Sequence, residues 1–163
     1  MRAVGRTASR LVVSLLTMGA VAVAPATPAF AATGTFITDH DGRCLDADIS
    51  SPTHNGTVVQ TWQCISGGRN QLWTLYTDRT IRSRWDGRCL DADIAGGTHN
   101  GTKVQLWDCN GQLNQKWIRY TDGSIRSMQD GRCLDEDIAT GTRNGTRVQL
   151  WDCNGWLNQR WHR

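Results

Sequence analysis

The chain has 163 residues, 39% of them hydrophobic, with 18 Lys and Arg against 15 Asp and Glu. Three of the basic residues, Arg2, Arg6 and Arg10, sit at the very start, so the rest is formally neutral with both signs interspersed. That balance excludes a basic stripe for nucleic acid and any acidic or basic tail, and the length fits one domain with its own core.

The basic start leads into an apolar run of 14 residues, 11–24, and then into the small-x-small triplet Ala29-Phe30-Ala31. This is the layout of a secretory signal peptide over residues 1–31. The run falls short of the ~20 apolar residues that a spanning helix needs. No second hydrophobic stretch follows, so the expected product is secreted and extracellular, without membrane insertion. The remaining 132 residues hold all eight Trp and all six Cys of the chain. An even cysteine count in an oxidising compartment implies disulfides.

From residue 32 onward the chain repeats itself. Asp41-Gly42-Arg43-Cys44-Leu45-Asp46-Ala47-Asp48-Ile49 returns from Asp86 to Ile94 and from Asp130 to Ile138, with Glu136 in place of alanine. Asn55-Gly56-Thr57 returns at Asn100 and Asn144; Gln60-Thr61-Trp62-Gln63-Cys64 returns ending at Cys109 and Cys153; Asn70-Gln71-Leu72-Trp73 returns ending at Trp117 and Trp161. Between 89–117 and 133–161 only six of 29 positions differ. The copies run over about 34–78, 79–122 and 123–163, and the first carries one extra residue in the stretch 65–69, where a surface loop absorbs it cheaply. In each copy the cysteines lie 20 apart: Cys44 and Cys64, Cys89 and Cys109, Cys133 and Cys153. Identical spacing in identical units argues for pairing within each unit. Close Cys/His pairs of the zinc-binding kind are missing, so neither a metal nor a cofactor is expected.

Each copy reads as four short strands. In the second copy they are Ile81-Arg82-Ser83, then 89–94 with alternating apolar and polar residues after an Asp86-Gly87 turn, then Val104-Gln105-Leu106-Trp107, then Gln115-Lys116-Trp117-Ile118. Nothing after residue 31 has a sustained helical period. Three such units make an all-β closed assembly of about twelve strands.

These motifs resemble the ricin-B-type lectins and the related carbohydrate-binding modules of secreted glycosidases. The mark is Gln-x-Trp ending each repeat, here at Gln71-Leu72-Trp73, Gln115-Lys116-Trp117 and Gln159-Arg160-Trp161. It is accompanied in every copy by Cys-Leu-Asp, Asn-Gly and a Gln-x-Trp-x-Cys segment, over essentially the whole of 34–163. The resemblance implies a β-trefoil with pseudo-threefold symmetry, six strands in a barrel and six in a cap.

It also implies roles, copy by copy. Asp46, Asp91 and Asp135 would accept hydrogen bonds from sugar hydroxyls. Trp62, Trp107 and Trp151 would stack on the sugar ring. Asn70, Asn114 and Asn158 would bridge to a hydroxyl, and Gln71, Gln115 and Gln159 would orient the aspartates. Gln60, Gln105 and Gln149 would line the same pocket. Trp73, Trp117 and Trp161 fill the core in the family pattern. Asp48, Asp93 and Asp137 fall on the same strand face as the first aspartates and read as hydrogen bonding to loop backbone rather than holding a cation. The Asn-Gly-Thr triplets match the glycosylation sequon, but their position reads as a turn. His54 and His99 give way to Arg143, which reads as solvated surface. Trp156 replaces Gln112 and is either an extra sugar contact or simply an exposed aromatic.

The sequence carries no nucleophile elbow, no His-Glu-x-x-His pair and no phosphate loop. Threefold repetition makes three equal sites, which suits binding better than the acid and base pair of a glycosidase; only Glu136 breaks the symmetry with an extra acid. The expectation is therefore a non-catalytic, multivalent lectin, expected as a monomer, whose partner is a carbohydrate: a galactose-type sugar, or a polysaccharide such as xylan or arabinan. The rival reading is a trefoil that binds a protein target, since fold does not dictate function.

Overall fold

The computed structural model describes residues 32–163; the expected signal peptide lies outside the described residues. Each repeat contributes a short first strand, a four-residue second strand, a long third strand and a short fourth strand. The first strands are β2 (Ile37–Thr38), β6 (Ile81–Ser83) and β10 (Ile125–Ser127); the second are β3 (Cys44–Ala47), β7 (Cys89–Ala92) and β11 (Cys133–Glu136). The third are β4 (Thr57–Trp62), β8 (Thr102–Trp107) and β12 (Thr146–Trp151); the fourth are β5 (Trp73–Leu75), β9 (Trp117–Arg119) and β13 (Trp161–His162). One further strand, β1 (Thr33–Gly34), lies ahead of β2 and pairs with β5, giving thirteen strands among the described residues rather than about twelve.

Within each repeat the second and third strands form an antiparallel hairpin, with Asp46 opposite Gln60, Asp91 opposite Gln105 and Asp135 opposite Gln149. The three long strands then pair with one another, β4 with β8, β8 with β12 and β12 with β4. The fourth strand of one repeat pairs with the first strand of the next: β5 with β6, β9 with β10, and finally β13 with β2. This last pairing, Trp161 opposite Thr38, joins the two ends and closes the ring. The arrangement is the all-β trefoil that the sequence motifs imply.

The core is filled by threefold sets. Trp73, Trp117 and Trp161 are at most 1% exposed, and their indole N–H groups donate to the carbonyls of Leu45, Leu90 and Leu134 at 2.9, 3.0 and 3.0 Å. A buried indole needs such an acceptor, and each tryptophan thereby locks the second strand of its own repeat. Ile81 and Ile125 from the first strands and Phe36 just ahead of β2, with Val59, Val104 and Val148 from the third strands, extend the cluster. The cysteines pair as the spacing implies, Cys44 with Cys64, Cys89 with Cys109 and Cys133 with Cys153; restricting the unfolded chain with loops of this length contributes ~3 kcal/mol each.

Two strand expectations need correction. The second strand stops at Ala92 rather than residue 94, and all four of its residues are buried instead of alternating. Leu90 and Ala92 face the core, while the other face is covered by the Cys89 disulfide and by the amides gathered on Asp91. The fourth strand begins at Trp117, not Gln115, because Leu113–Gln115 forms a 3-10 turn, as do Arg69–Gln71 and Leu157–Gln159. That turn swings Asn114 and Gln115 back over β7.

The Asn-Gly-Thr triplets are turns, as expected. Gly56, Gly101 and Gly145 have φ of 97°, 92° and 88°, a region that costs a side chain dearly but not glycine. The asparagines also tie neighbouring repeats together: Asn55 Oδ1 accepts from the Asp108 backbone N–H, Asn100 Oδ1 from that of Asp152 and Asn144 Oδ1 from that of Gln63, each at 2.7 Å.

Candidate functional site

Three open cavities of about 280 to 290 Å3 repeat around the molecule. The second is lined by Asp91, Asp93, Gln105, Trp107 and Asn114 among others; Asp46, Gln60, Trp62 and Asn70 take these places in the first, and Asp135, Gln149, Trp151 and Asn158 in the third. The residues singled out in the sequence are thus brought together, copy by copy.

The geometry follows from the hairpin and the 3-10 turn. Gln105, directly across from Asp91, donates its Nε2 to Asp91 Oδ1 at 3.1 Å. The turn brings Asn114 Nδ2 and Gln115 Nε2 to the other oxygen, both at 2.9 Å. Asp46 receives the same three amides from Gln60, Asn70 and Gln71 at 3.0, 2.8 and 2.9 Å, and Asp135 from Gln149, Asn158 and Gln159 at 3.0, 2.9 and 2.9 Å. An ionised carboxylate offers about four lone-pair positions, so one acceptor position per aspartate is left.

The expected division of labour is modified in one respect. Asparagine does not stand apart as a bridge: its amide nitrogen is spent on the aspartate and on the carbonyl of Ala47, Ala92 or Glu136. What remains is its carbonyl, and Asn114 Oδ1 and Asn158 Oδ1 are buried with no hydrogen-bond partner among the described residues. Gln71, Gln115 and Gln159 do not line the cavities. Each braces the aspartate from behind, reaching also the carbonyl of Gln63, Asp108 or Asp152 and the backbone N–H of Ile65, Asn110 or Asn154.

Burial pushes the carboxyls of Asp46, Asp91 and Asp135 above the ordinary aspartate value, with Asp48, Asp93 and Asp137 nearby adding to the rise; the three amides pull the other way without cancelling it. The second aspartates accept backbone N–H bonds from Ser50, Ala95 and Ala139, as expected, but they also line the cavities. Among the described residues no group of three His, Cys, Asp or Glu could hold a metal ion, and no helix is long and apolar enough to cross a membrane.

Trp62, Trp107 and Trp151 sit at the ends of the long strands, 36%, 38% and 39% exposed, as one wall of each cavity. The other wall differs between copies. In the second copy it holds Asn110 and Gln112, and in the third Asn154 and Trp156, the latter 61% exposed. In the first, the inserted loop puts Ile65 there. Sequence reasoning located the insertion but not its consequence, because the loop's place beside the cavity depends on the disulfide and the turn together. Glu136 lines none of these three cavities; it is fully buried and bonded to threonines.

Comparison with known proteins agrees with this architecture. A family model described as the ricin-type beta-trefoil lectin domain matches residues 32–161. Volkensin of Adenia volkensii is 47% identical over 51 residues, which is 31% of this chain and only 10% of volkensin. The designed threefold-symmetric protein ThreeFoil superposes with a TM-score of 0.69 at 27% identity, covering 79% of this chain and 95% of that one. A non-toxic homologue of type II RIPs from Momordica charantia, solved in complex with α-methyl-D-galactoside, superposes with a TM-score of 0.67 at 25% identity, covering 80% of this chain and 46% of that one.

Proposed function

Because the chain belongs to the ricin-type β-trefoil lectin family, we propose that it is a secreted, non-catalytic carbohydrate-binding protein with three sites. The observation that carries this reading is the threefold recurrence of a buried aspartate held by three amides beside an exposed tryptophan. A neutral sugar ring presents a C–H face and a hydroxyl edge. The faces of Trp62, Trp107 and Trp151 suit the first. The remaining lone pair of Asp46, Asp91 or Asp135, together with the free carbonyl of the neighbouring asparagine, suits adjacent hydroxyls. Gln60, Gln105 and Gln149 orient the aspartate from across the hairpin, and Gln71, Gln115 and Gln159 from behind. The galactoside complex of the Momordica charantia homologue supports a galactose-type ligand, with xylan or arabinan as the polysaccharide alternative. Residues 1–31 serve as the export signal.

A single shallow site binds weakly. Three sites on one body gain ~10²–10⁴ in avidity on a polymer or glycan-coated surface without new contacts. Tight binding to polysaccharide with weak binding to free monosaccharide is the expected result, and equal affinity for both would contradict multivalent use.

The test is a broad glycan and polysaccharide array probed with residues 32–163, disulfides formed, beside a variant with Trp62, Trp107 and Trp151 all changed to alanine. Binding that disappears in the folded variant supports the reading and names the sugar. A folded parent that binds no glycan overturns it and leaves a protein target as the reading to pursue by pull-down.

A further inference from the structure

Three arginines occupy equivalent places where the repeats meet. Arg88 Nη1 donates to Asp86 Oδ2 at 2.8 Å, while its Nε faces Asp108 Oδ1 at 3.2 Å and Asn55 Oδ1 at 3.3 Å. Arg132 makes the same set with Asp130 at 2.8 Å, Asp152 at 3.1 Å and Asn100 at 3.2 Å. Arg43, between the first and third repeats, holds the same posture. Its side chain is 26% exposed, as are the other two, and its Nη1 donates to Asp41 and, at 3.4 Å, to Thr142.

Its second carboxylate is missing. Gln63 stands where the other copies carry Asp108 and Asp152. Arg43 Nε is buried and makes no hydrogen bond among the described residues, a costly state for a charged donor. Arg143 stands where the other copies carry His54 and His99. Among the side chains that reach the surface the balance therefore reverses, from one arginine and two aspartates at Arg88 and Arg132 to two arginines and one aspartate here, with the Glu136 carboxyl fully buried behind Asp41. A cavity of about 440 Å3 lies at this place, lined by Asp41, Arg43, Gln63, Arg143 and Asn144. The Gln63 side chain is exposed and held by no hydrogen bond among the described residues, so it is free to swing aside.

We propose that this cavity is an anion site that accepts a ligand carboxylate in the position Asp108 and Asp152 fill at the other two interfaces. The Nε and Nη2 edge of a guanidinium matches a carboxylate in two parallel bonds, and Arg143 supplies the second positive charge. The ligand class is a small carboxylate or the uronate of an acidic sugar. The site shares no residue with the three tryptophan cavities and does not rest on their reading.

The experiment follows the arginine Nε–H resonances by NMR at constant ionic strength, titrating sodium acetate, sodium galacturonate and, as the neutral control, galactose. The expected result is a saturable shift of the Arg43 resonance with both salts and none with galactose. Equal affinity for the two salts marks a site for the carboxylate alone, and tighter galacturonate marks one that also holds the sugar; both support the proposal. Arg143→His should weaken binding ~tenfold, the equivalent of about 1.4 kcal/mol. Gln63→Asp should abolish it in a folded protein, because the chain then supplies its own carboxylate. No saturable shift with either salt, or unchanged binding in Gln63→Asp, would overturn the proposal.

Discussion

Thr61 Oγ1 donates a 2.6 Å hydrogen bond to Glu136 Oε1, joining the first repeat to the third across 75 positions of chain. Thr38 Oγ1 donates to the other carboxyl oxygen at 3.3 Å. Both partners are departures from the repeat: Thr61 replaces Leu106 and Leu150, and Glu136 replaces Ala47 and Ala92. By the threefold relation, Thr61 stands to Glu136 as Leu106 stands to Ala47. One apolar pair of the trefoil has been exchanged for a polar one on both sides at once.

The exchange is expected to be coupled. Thr61→Leu alone removes the shorter bond while the carboxyl stays buried, and should cost ~1–3 kcal/mol. Adding Glu136→Ala should recover most of that loss by restoring the pair found at the other two interfaces. Urea unfolding of the four proteins in the cycle measures this, and strict additivity would refute the coupling.

Burial holds the Glu136 carboxyl above its ordinary value of 4.5, with the Asp41 charge adding to the rise; the threonine bonds and the His40 charge oppose it. A carboxyl whose pKa is higher in the folded state contributes fully below the unfolded value and loses that contribution as pH rises through the folded one. Glu136→Gln, which cannot ionise, should therefore gain stability relative to the parent as pH increases above 4.5. A stability difference that does not change with pH would contradict the assignment.

The two tryptophan sets should separate cleanly. Trp73→Ala, Trp117→Ala or Trp161→Ala should cost ~3–5 kcal/mol by opening a cavity and by stripping a carbonyl of its indole donor. Trp62→Ala, Trp107→Ala or Trp151→Ala, at exposed positions, should leave the thermal midpoint nearly unchanged and weaken sugar binding at that site alone. Calorimetric unfolding beside a ligand titration distinguishes them, and a reversed ranking would sink the assignment.

Sugar binding should weaken on acidification earlier than an exposed aspartate would dictate. Burial raises the carboxyls of Asp46, Asp91 and Asp135 above 3.8, and only the ionised form accepts three amides and a hydroxyl together. Binding followed by tryptophan fluorescence should fall with a midpoint above 3.8; a flat profile down to that pH would show that the aspartates do not hold the ligand.

The third site should not be equivalent to the others. Trp156 gives it a second aromatic wall where the second site has Gln112. Trp156→Gln should reduce binding there by roughly tenfold for an aryl glycoside and by less for a methyl glycoside, as read by single-site titration in a background lacking Trp62 and Trp107. Equal losses for both ligands would reduce Trp156 to a surface aromatic.

Much of this protein was legible in its sequence. The three disulfide partners follow from the recurrence of one spacing, while the trefoil, the buried and exposed tryptophans and the aspartate, tryptophan and asparagine of each cavity follow from the family resemblance that the repeated motifs carry. Asp46 meets Gln60, Asn70 and Gln71 at separations of only 14, 24 and 25 positions. A disulfide closes each of these units, so the same spacing produces the same geometry three times. Only the tertiary structure decided that asparagine spends its amide on the aspartate, that the inserted loop walls the first cavity, that Glu136 belongs to Thr61, and that Arg43 lacks the carboxylate its counterparts have. The first two depend on the 3-10 turn and loop folding back over the second strand of the same repeat; the last two depend on how the units meet once β13 pairs with β2 and the ring closes. A departure in one copy is then answered by a residue of its neighbour, and no spacing within a repeat encodes which neighbour that is.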